Sequence, residues 1–407
     1  MKILLIDDCS HVGSTGKITY GAYNHYKAKG HETLLCCDGA REERIKDDPN
    51  VKSLNNKVDF YYSVVMARLI GYEGLFNRNA TRKLINIIEE FKPDIVQIIT
   101  LHSYYLNHYK FLEYLKSNNL KTVYLMVDQF PYMGKCCFAT GCEKFKTECN
   151  NCPQVKEYPK SLLFDWSRAI FYRKRKIYDG FKNLVFVGTK WCVDQAKESV
   201  LLKNASTVIM DYPLDMDTFQ PRDVSNLRER LCIPANNKVV ITVARASIPS
   251  KGGCFFIDLA RKLQDHKDIT FVYVGYDVDN WNIPENVITI GFVKSQYELS
   301  EYFSLGDISV NTSLADLTPL ACLEALACGT PLAGFAEAGV PDSSSREYGT
   351  FVNTYDVDAL VEVVLNAPRK DQKRINSVRE YAQKRYSSSY IYDKYLDLYS
   401  NFDKFIK

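Results

Sequence analysis

The stretch SLADLTPLACLEALACGTP, Ser313 to Pro331, governs how the rest of the chain is read. An apolar run, ISVNTS (308–313), ends where it begins, and a turn follows. A helical pattern then starts near Pro319 or Leu320 and continues to Cys328. The first turn of a helix carries backbone N–H groups without intrahelical partners and the positive end of the dipole. Such a start, with Leu317, Thr318, Pro319 and Leu320 around it, suits a phosphate. Asp316 stands before the helix, and Glu324 lies about one to two turns into it. The two acids can bracket a polar ligand lying along the helix start. Glu324 sits among Cys322, Leu323, Ala325 and Leu326, where an acid needs a partner, and a ribose diol would be one. The plain alternative is a capped amphipathic helix whose acid faces solvent.

On either side of this stretch, short continuous apolar runs alternate with helical patterns. KVVITVA (238–244), ITFVYVG (269–275), VITIG (287–291) and PLAGF (331–335) join ISVNTS as strands, with CFFIDLARKLQ (254–264) as a helix among them. The first half repeats the alternation with KILLID (2–7), ETLLCC (32–37), DIVQII (94–99), TVYLMV (122–127) and LVFVG (184–188). Helical patterns there include TRKLINIIEEF (81–91) and FLEYLKSN (111–118). Unbroken apolar runs are how strands of a parallel sheet look when both faces are covered. Between the halves, DYPLDMDTFQP (211–221) puts turn-forming Pro and Asp in place of periodicity. The pattern predicts two doubly wound α/β domains, with ligands at the carboxyl ends of their strands and a site in the cleft between them. SYIYDKYLDLYSNFDKFI (389–406) reads as a final aromatic helix.

Bulk composition agrees. A chain of 407 residues makes two domains, or three, at roughly 150 residues each. Net charge is +3, which gives no case for nucleic acid, and no apolar run is long enough to span a membrane. MKILLIDDCS reads as a buried first strand rather than a signal peptide, so the chain is expected in the cytoplasm.

Further segments carry chemistry. In VARASIPSKGG (243–253), Arg245 follows a strand and Lys251 precedes Gly252 and Gly253. The Arg fork and the Lys point charge can reach one diphosphate and stabilise a leaving nucleotide without a divalent metal. Gly13, Ser14, Thr15 and Gly16 form a glycine-bearing turn after the first strand, where backbone can approach a ligand. His102 follows the strand DIVQII, in IITLHSYYLN. The segment VDQFPYMGKCCFATGCEKFKTECNNCPQ (127–154) holds Asp128 and spaces Cys136, Cys142, Cys149 and Cys152 compatibly with four thiolates around a structural zinc. Reduced cysteines without metal are its alternative. RAIFYRKRKIYDGFK (168–182) mixes cations with aromatics and could rest on anionic lipid, although a solvated helix face is the more usual use of such a run.

Taken in chain order, these segments resemble retaining glycosyltransferases of family 4, in the bacterial polysaccharide and lipopolysaccharide subgroup with a Cys-rich insertion. The resemblance rests on the acid-x7-acid string ending E-A-x-A-C-G-T-P, the R-…-K-G-G element, the glycine loop, the insertion and the TFQP signature. It implies the α/β GT-B fold: two facing Rossmann-like domains, an interdomain cleft and a C-terminal helix crossing back. The domains would be 1–210, on the acceptor side with its insertion at 136–152, then 211–386 for the donor, then the helix 387–407. The implied activity is metal-independent hexosyl transfer with retention, from a nucleotide sugar to a glycan or lipid-linked acceptor, in surface polysaccharide biosynthesis. Arg245, Lys251, Asp316 and Glu324 would be catalytic. Glu324 would bind ribose and Asp316 the sugar hydroxyls. Gly13, Ser14, Gly16 and the Leu317–Leu320 helix start would complete the donor site, while His102 and Asp128 would lie on the acceptor side. No cofactor is implied for catalysis. The protein would work in the cytoplasm, with a peripheral contact at the inner face of the membrane. The family more often has Glu where Asp316 stands, and a His where Val127 stands. Two rival readings share the fold: a non-catalytic subunit that binds nucleotide or a partner, and a sugar-nucleotide epimerase.

Overall fold

The computed structural model describes residues 1–9, 13–40, 48–275 and 281–406. The chain divides into two compact units, Met1–Asp211 with Ile391–Lys407, and Tyr212–Tyr390.

The first unit is built on seven strands: β1 (Lys2–Ile6), β2 (Glu32–Cys37), β3 (Val51–Ser53), β4 (Ile95–Ile98), β5 (Thr122–Leu125), β6 (Leu184–Gly188) and β7 (Ser206–Ile209). Their spatial order is β3-β2-β1-β4-β5-β6-β7, and every pairing is parallel. The connections include the helices α1 (Gly13–Ala28), α2 (Lys57–Ile70), α3 (Arg78–Phe91), α4 (His108–Ser117), α5 (Ser167–Tyr178) and α6 (Lys190–Glu198). β1 is buried from Ile3 to Ile6 and pairs Leu4 with both Leu34 and Val96. A strand covered on both faces needs no polar alternation, and KILLI has none.

The second unit holds α7 (Ser225–Arg230), β8 (Lys238–Val243), α8 (Gly253–Lys262), β9 (Ile269–Val274), β10 (Val287–Ile290) and α9 (Gln296–Leu305). It continues through β11 (Ile308–Asn311), α10 (Leu320–Ala327), β12 (Leu332–Phe335), β13 (Gly349–Val352), α11 (Val357–Asn366) and α12 (Gln372–Tyr386). The six strands are ordered β10-β9-β8-β11-β12-β13, all parallel. Alternate side chains feed two separate cores. Phe271 and Tyr273 of β9 join Phe256 and Leu259 of α8 on one face. Val272 and Val274 join Leu227, Tyr302 and Leu305 on the other.

The last helix, α13 (Ser388–Ser400), starts at the end of the second unit, and its residues from Ile391 onward pack on the first. Tyr392 donates to the Ile18 carbonyl at 2.9 Å, and Tyr399 donates to Gln97 Oε1 at 2.5 Å. The helix is shorter than the aromatic run suggests, since a 3-10 turn, Phe402–Lys404, follows it.

One expectation changes. α5 turns Ile170, Phe171, Ile177 and Tyr178 into the core. Even Lys174 is 1% exposed, its Nζ donating to the Phe130 carbonyl at 2.6 Å and the Met133 carbonyl at 3.2 Å. The aromatics of 168–182 are therefore core residues, apart from the exposed Tyr172. The four cysteines proposed for zinc share one neighbourhood, Cys149 lying close enough to feel both Cys142 and Cys152. Cys136 bonds to Cys152, yet among the described residues no three of the four bring their sulfurs within 4.8 Å of one another. All thirteen cysteines stand as free thiols.

Candidate active site

In a doubly wound sheet the strand order reverses at one point, where neighbouring loops part and a ligand can enter. In the second unit that point lies between β8 and β11. The loop after β8 carries Arg245, which is exposed, and leads to Lys251 in a 3-10 turn, Pro249–Lys251. The loop after β11 carries Asp316 and leads to α10. Side chains 65 residues apart in sequence meet here: Lys251 Nζ lies 2.6 Å from Asp316 Oδ1 and 2.9 Å from Oδ2.

Backbone bonds stitch the two loops together. Leu314 N–H donates to the Ser250 carbonyl at 2.7 Å, and Ser313 Oγ donates to it at 3.1 Å. Thr312 Oγ1 donates to the Gly252 carbonyl at 2.8 Å. Gly252 is required twice over: its φ is +67°, and a Cβ there would stand 1.9 Å from the Thr312 carbonyl oxygen. Ser313 Oγ also donates to Asp316 Oδ2 at 2.6 Å, so the carboxylate is fixed before any ligand meets it. On the far side, Gly339 N–H donates to the Asp316 carbonyl at 2.9 Å, and a Cβ on Gly339 would collide with the Leu317 carbonyl. The loop from Asp316 to Pro319 is thus clamped from both sides.

α10 begins at Leu320, with Pro319 in extended conformation as its cap residue and no side-chain cap. Leu317 and Thr318 are buried, and Thr318 Oγ1 bonds to the Leu317 carbonyl at 2.7 Å. Glu324 is the fifth residue of the helix and only 7% exposed. Burial first, and then the Asp316 carboxylate, push the Cys322 thiol far up, while Lys251 pulls it down and Glu324 adds to the rise. Asp316, Lys251 and Glu324 therefore all act on one buried side chain. Ser313, Thr312 and Gly339 escaped the sequence reading. Only Ser313 left a signal, the S-x-x-D spacing to Asp316.

The first unit reverses between β1 and β4. Gly13 (φ +73°) opens α1 beyond β1, with nothing within 4 Å of the place a Cβ would take. Gly16 is buried in the same first turn, and the side chain of Ser14 lies outside the described residues. Asp7, fully buried, accepts from Thr19 Oγ1 at 2.5 Å, and burial followed by the Asp8 charge pushes it well above the usual carboxylate range. His102 follows β4 and Asp128 follows β5, and the two meet: Nε2 lies 2.5 Å from Asp128 Oδ2. Nδ1 lies 3.0 Å from the Tyr158 hydroxyl and 3.1 Å from Ser103 Oγ. Burial lowers the imidazolium, but Cys137 and Asp128 outweigh it and hold His102 well above its ordinary value. Sequence reading paired Asp128 with a missing His at position 127. The fold supplies His102 from the neighbouring strand instead.

Comparison with known proteins fits this geometry. Residues 237–368 match the family described as Glycosyl transferases group 1. The chain is 24% identical over 343 residues to WcaC of Escherichia coli K12, named as a colanic acid biosynthesis glycosyl transferase, covering 80% of this chain and 82% of that one. Among solved structures, the sucrose-phosphate synthase of Thermosynechococcus elongatus superposes with a TM-score of 0.69 at 15% identity, over 99% of both chains. Anabaena HepE, solved in complex with UDP-glucose, gives 0.63 at 17% identity, over 98% of this chain and 99% of that one. At such identities the structures speak for the fold. The chain has the GT-B fold, and the stretch of its second unit that matches the group 1 glycosyl transferase model includes Arg245, Lys251, Asp316 and Glu324.

Proposed function

We propose that the protein transfers a hexose, with retention, from a nucleotide sugar to a glycan or lipid-linked acceptor in surface polysaccharide biosynthesis. The observation that carries this reading is the Lys251–Asp316 pair, fixed at the β8/β11 reversal beside the start of α10. An arriving diphosphate, with two acidic groups, competes with the single carboxylate for Lys251. As Lys251 turns to the phosphates, Asp316 is released to accept bonds from sugar hydroxyls. Arg245 and the N–H groups at the start of α10 share the diphosphate charge, and Glu324 takes the ribose diol.

The anomeric C–O bond to the phosphate breaks, and a bond to the acceptor oxygen forms on the same face. The acceptor proton passes to the departing phosphate oxygen. Cationic side chains and helix N–H groups hold the charge that builds on that phosphate, and the reading calls on no divalent ion. His102 and Asp128 belong to the acceptor side. The likeness to WcaC supports a polysaccharide acceptor. The UDP-glucose held by Anabaena HepE puts uridine donors first among those to try.

The test is thermal shift with a panel of nucleoside diphosphates and nucleotide sugars, on the wild type, Lys251→Ala and Glu324→Ala. A ligand that binds only the native state raises its melting point by mass action. One nucleotide should stabilise the wild type and neither variant, and its sugar form should then be consumed in transfer. A folded wild type that responds to nothing in the panel moves the non-catalytic subunit to the front. Interconversion of free nucleotide sugars would mean an epimerase.

A further inference from the structure

Three side chains from separate stretches of the first unit converge beyond the carboxyl ends of β4 and β5. His102 follows β4, Asp128 follows β5, and Cys137 comes from the segment after the β5 loop. One ring nitrogen, one carboxylate oxygen and the thiol sulfur all lie within 4.8 Å of one another. Asp7, Asp8 and Cys9 meet the same limit, but neighbours in sequence do so without any convergence of the fold.

Each of the three is held in place through its other atoms. Asp128 Oδ1 accepts from Phe130 N–H at 2.8 Å, which leaves Oδ2 toward the imidazole. His102 Nδ1 is taken by the Tyr158 hydroxyl and Ser103 Oγ, which leaves Nε2 toward the cluster. The Cys137 carbonyl accepts from Gln129 N–H at 2.9 Å, and Gln129 Oε1 accepts from Ala139 N–H. The rings of Phe130 and Tyr158 flank the imidazole edge-on, with centroids 5.4 and 5.6 Å away. A partner on the second ring nitrogen is how metal-ligating histidines are oriented.

A His–Asp pair needs no thiol, and a buried cysteine ordinarily packs as a small hydrophobe. Cys137 is 2% exposed, yet it stands within electrostatic reach of His102, Asp128 and Glu73. A thiol set among such groups is placed as a ligand is. Nitrogen, oxygen and sulfur donors together suit zinc, which takes all three at about 2.0–2.3 Å. At the tetrahedral angle those donors stand about 3.3–3.6 Å apart. The His102–Asp128 spacing of 2.5 Å lies just below that range, and the 4.8 Å bound on the thiol just above it. Magnesium and calcium want oxygen, and this cluster offers them one carboxylate. The buried cation nearby, Lys174, is already bonded to the Phe130 and Met133 carbonyls. Buried Glu73 lies within reach of both Lys174 and His102 and balances the charge.

We propose that His102 Nε2, Asp128 Oδ2 and Cys137 Sγ form a zinc site. Three protein ligands leave the fourth position of the ion to water or a ligand hydroxyl. The thiol gives up its proton to solvent on binding. The side chains of His102 and Asp128 are 14% and 11% exposed, so an ion can reach them. This site shares no ligand with the group Cys136, Cys142, Cys149 and Cys152. It also uses none of the donor residues, so nucleotide binding neither supports nor sinks it.

Zinc uptake by the full chain, stripped beforehand with a chelator, decides the matter. The reference is Cys149→Ser, which takes a ligand from the four-cysteine group, and His102→Gln or Cys137→Ala is added to it. Melting points without metal show that each variant folds. Cys149→Ser should take up about one equivalent of zinc by elemental analysis, and its melting point should rise by mass action. Each double variant should lose about 100-fold in affinity. Cobalt in place of zinc should give a thiolate absorption band that Cys137→Ala removes. A folded Cys149→Ser protein that takes up no zinc overturns the proposal, as does equal affinity in the folded double variants. Displacement of the zinc by magnesium at about 100-fold excess would mean oxygen ligands and overturn it too. Should Cys149→Ser not fold, the zinc content of the wild type answers instead. It should fall by about one equivalent in His102→Gln, and an unchanged content overturns the proposal.

Discussion

Gly252 joins two loops through an approach that no side chain permits, with φ at +67° and the Thr312 carbonyl in the space of a Cβ. Gly252→Ala should cost about 1–3 kcal/mol in chemical denaturation, and it should weaken nucleotide binding because Lys251 is its neighbour. An unchanged midpoint would show that the two loops are not so closely coupled. Glu73 poses an electrostatic case. Its Oε1 accepts from Tyr104 N–H at 3.1 Å, Oε2 is buried without a hydrogen bond at 3.6 Å from His108 Nδ1, and burial pushes its pKa up to about 7. A folded-state pKa raised above the unfolded value gives stability that is complete below about pH 4.5 and lost as pH rises through about 7. Glu73→Gln keeps the Tyr104 bond and removes the ionisation. It should therefore exceed the wild type by about 1–3 kcal/mol at pH 8 and show no gain at pH 4, as read from urea melts at the two pH values. The sequence displayed Lys251 and Asp316 but not their meeting, and it gave no sign of Glu73, because burial is a property of the surroundings.

Elements were legible in proportion to how they are buried. β2 and β6 match their apolar runs end to end, and β8, β9 and β11 lose only a residue or two. The three strands missed, β3, β7 and β13, are all edge strands. They read VKS, STVI and GTFV and are only part-buried, so no continuous apolar run marks them. α2 was passed over because its apolar residues lie on both sides and blur the period. α12 acts as a brace for α10. Arg379 donates to the Met216 carbonyl at 2.7 Å, the Ala327 carbonyl at 3.0 Å and the Phe219 carbonyl, joining the end of α10 to the turn at 211–221. Arg379→Ala leaves three carbonyls without this donor and should destabilise the chain by about 2–3 kcal/mol. Differential scanning calorimetry against Arg379→Lys, which can restore part of the bonding, would check this; equal losses in the two would point to packing instead.

Across the whole molecule, α13 closes the first unit from the far end of the chain. Tyr392, Tyr395 and Tyr399 are buried against α1 and β4, and Asp393 pairs with His25 at 2.8 Å. A chain cut after Ser387 should expose Ile18, Tyr26 and Gln97 and turn the first unit protease-sensitive, while 212–387 resists for longer. Mass-spectrometric mapping of limited proteolysis would reveal the order, and equal resistance of cut and full chains would sink the idea. The sequence by itself determined the two doubly wound sheets, since doubly buried strands must be apolar throughout, and it marked the loops that carry the candidate donor residues, since turns and helix starts have local chemistry. Only the tertiary structure decided which side chains meet. His102 reaches Asp128 from a neighbouring strand, Lys251 reaches Asp316 across the reversal of strand order, the aromatics of α5 turn inward and those of α2 turn out. Strand order and burial are set by contacts between segments far apart in the chain, and no local pattern of residues records them.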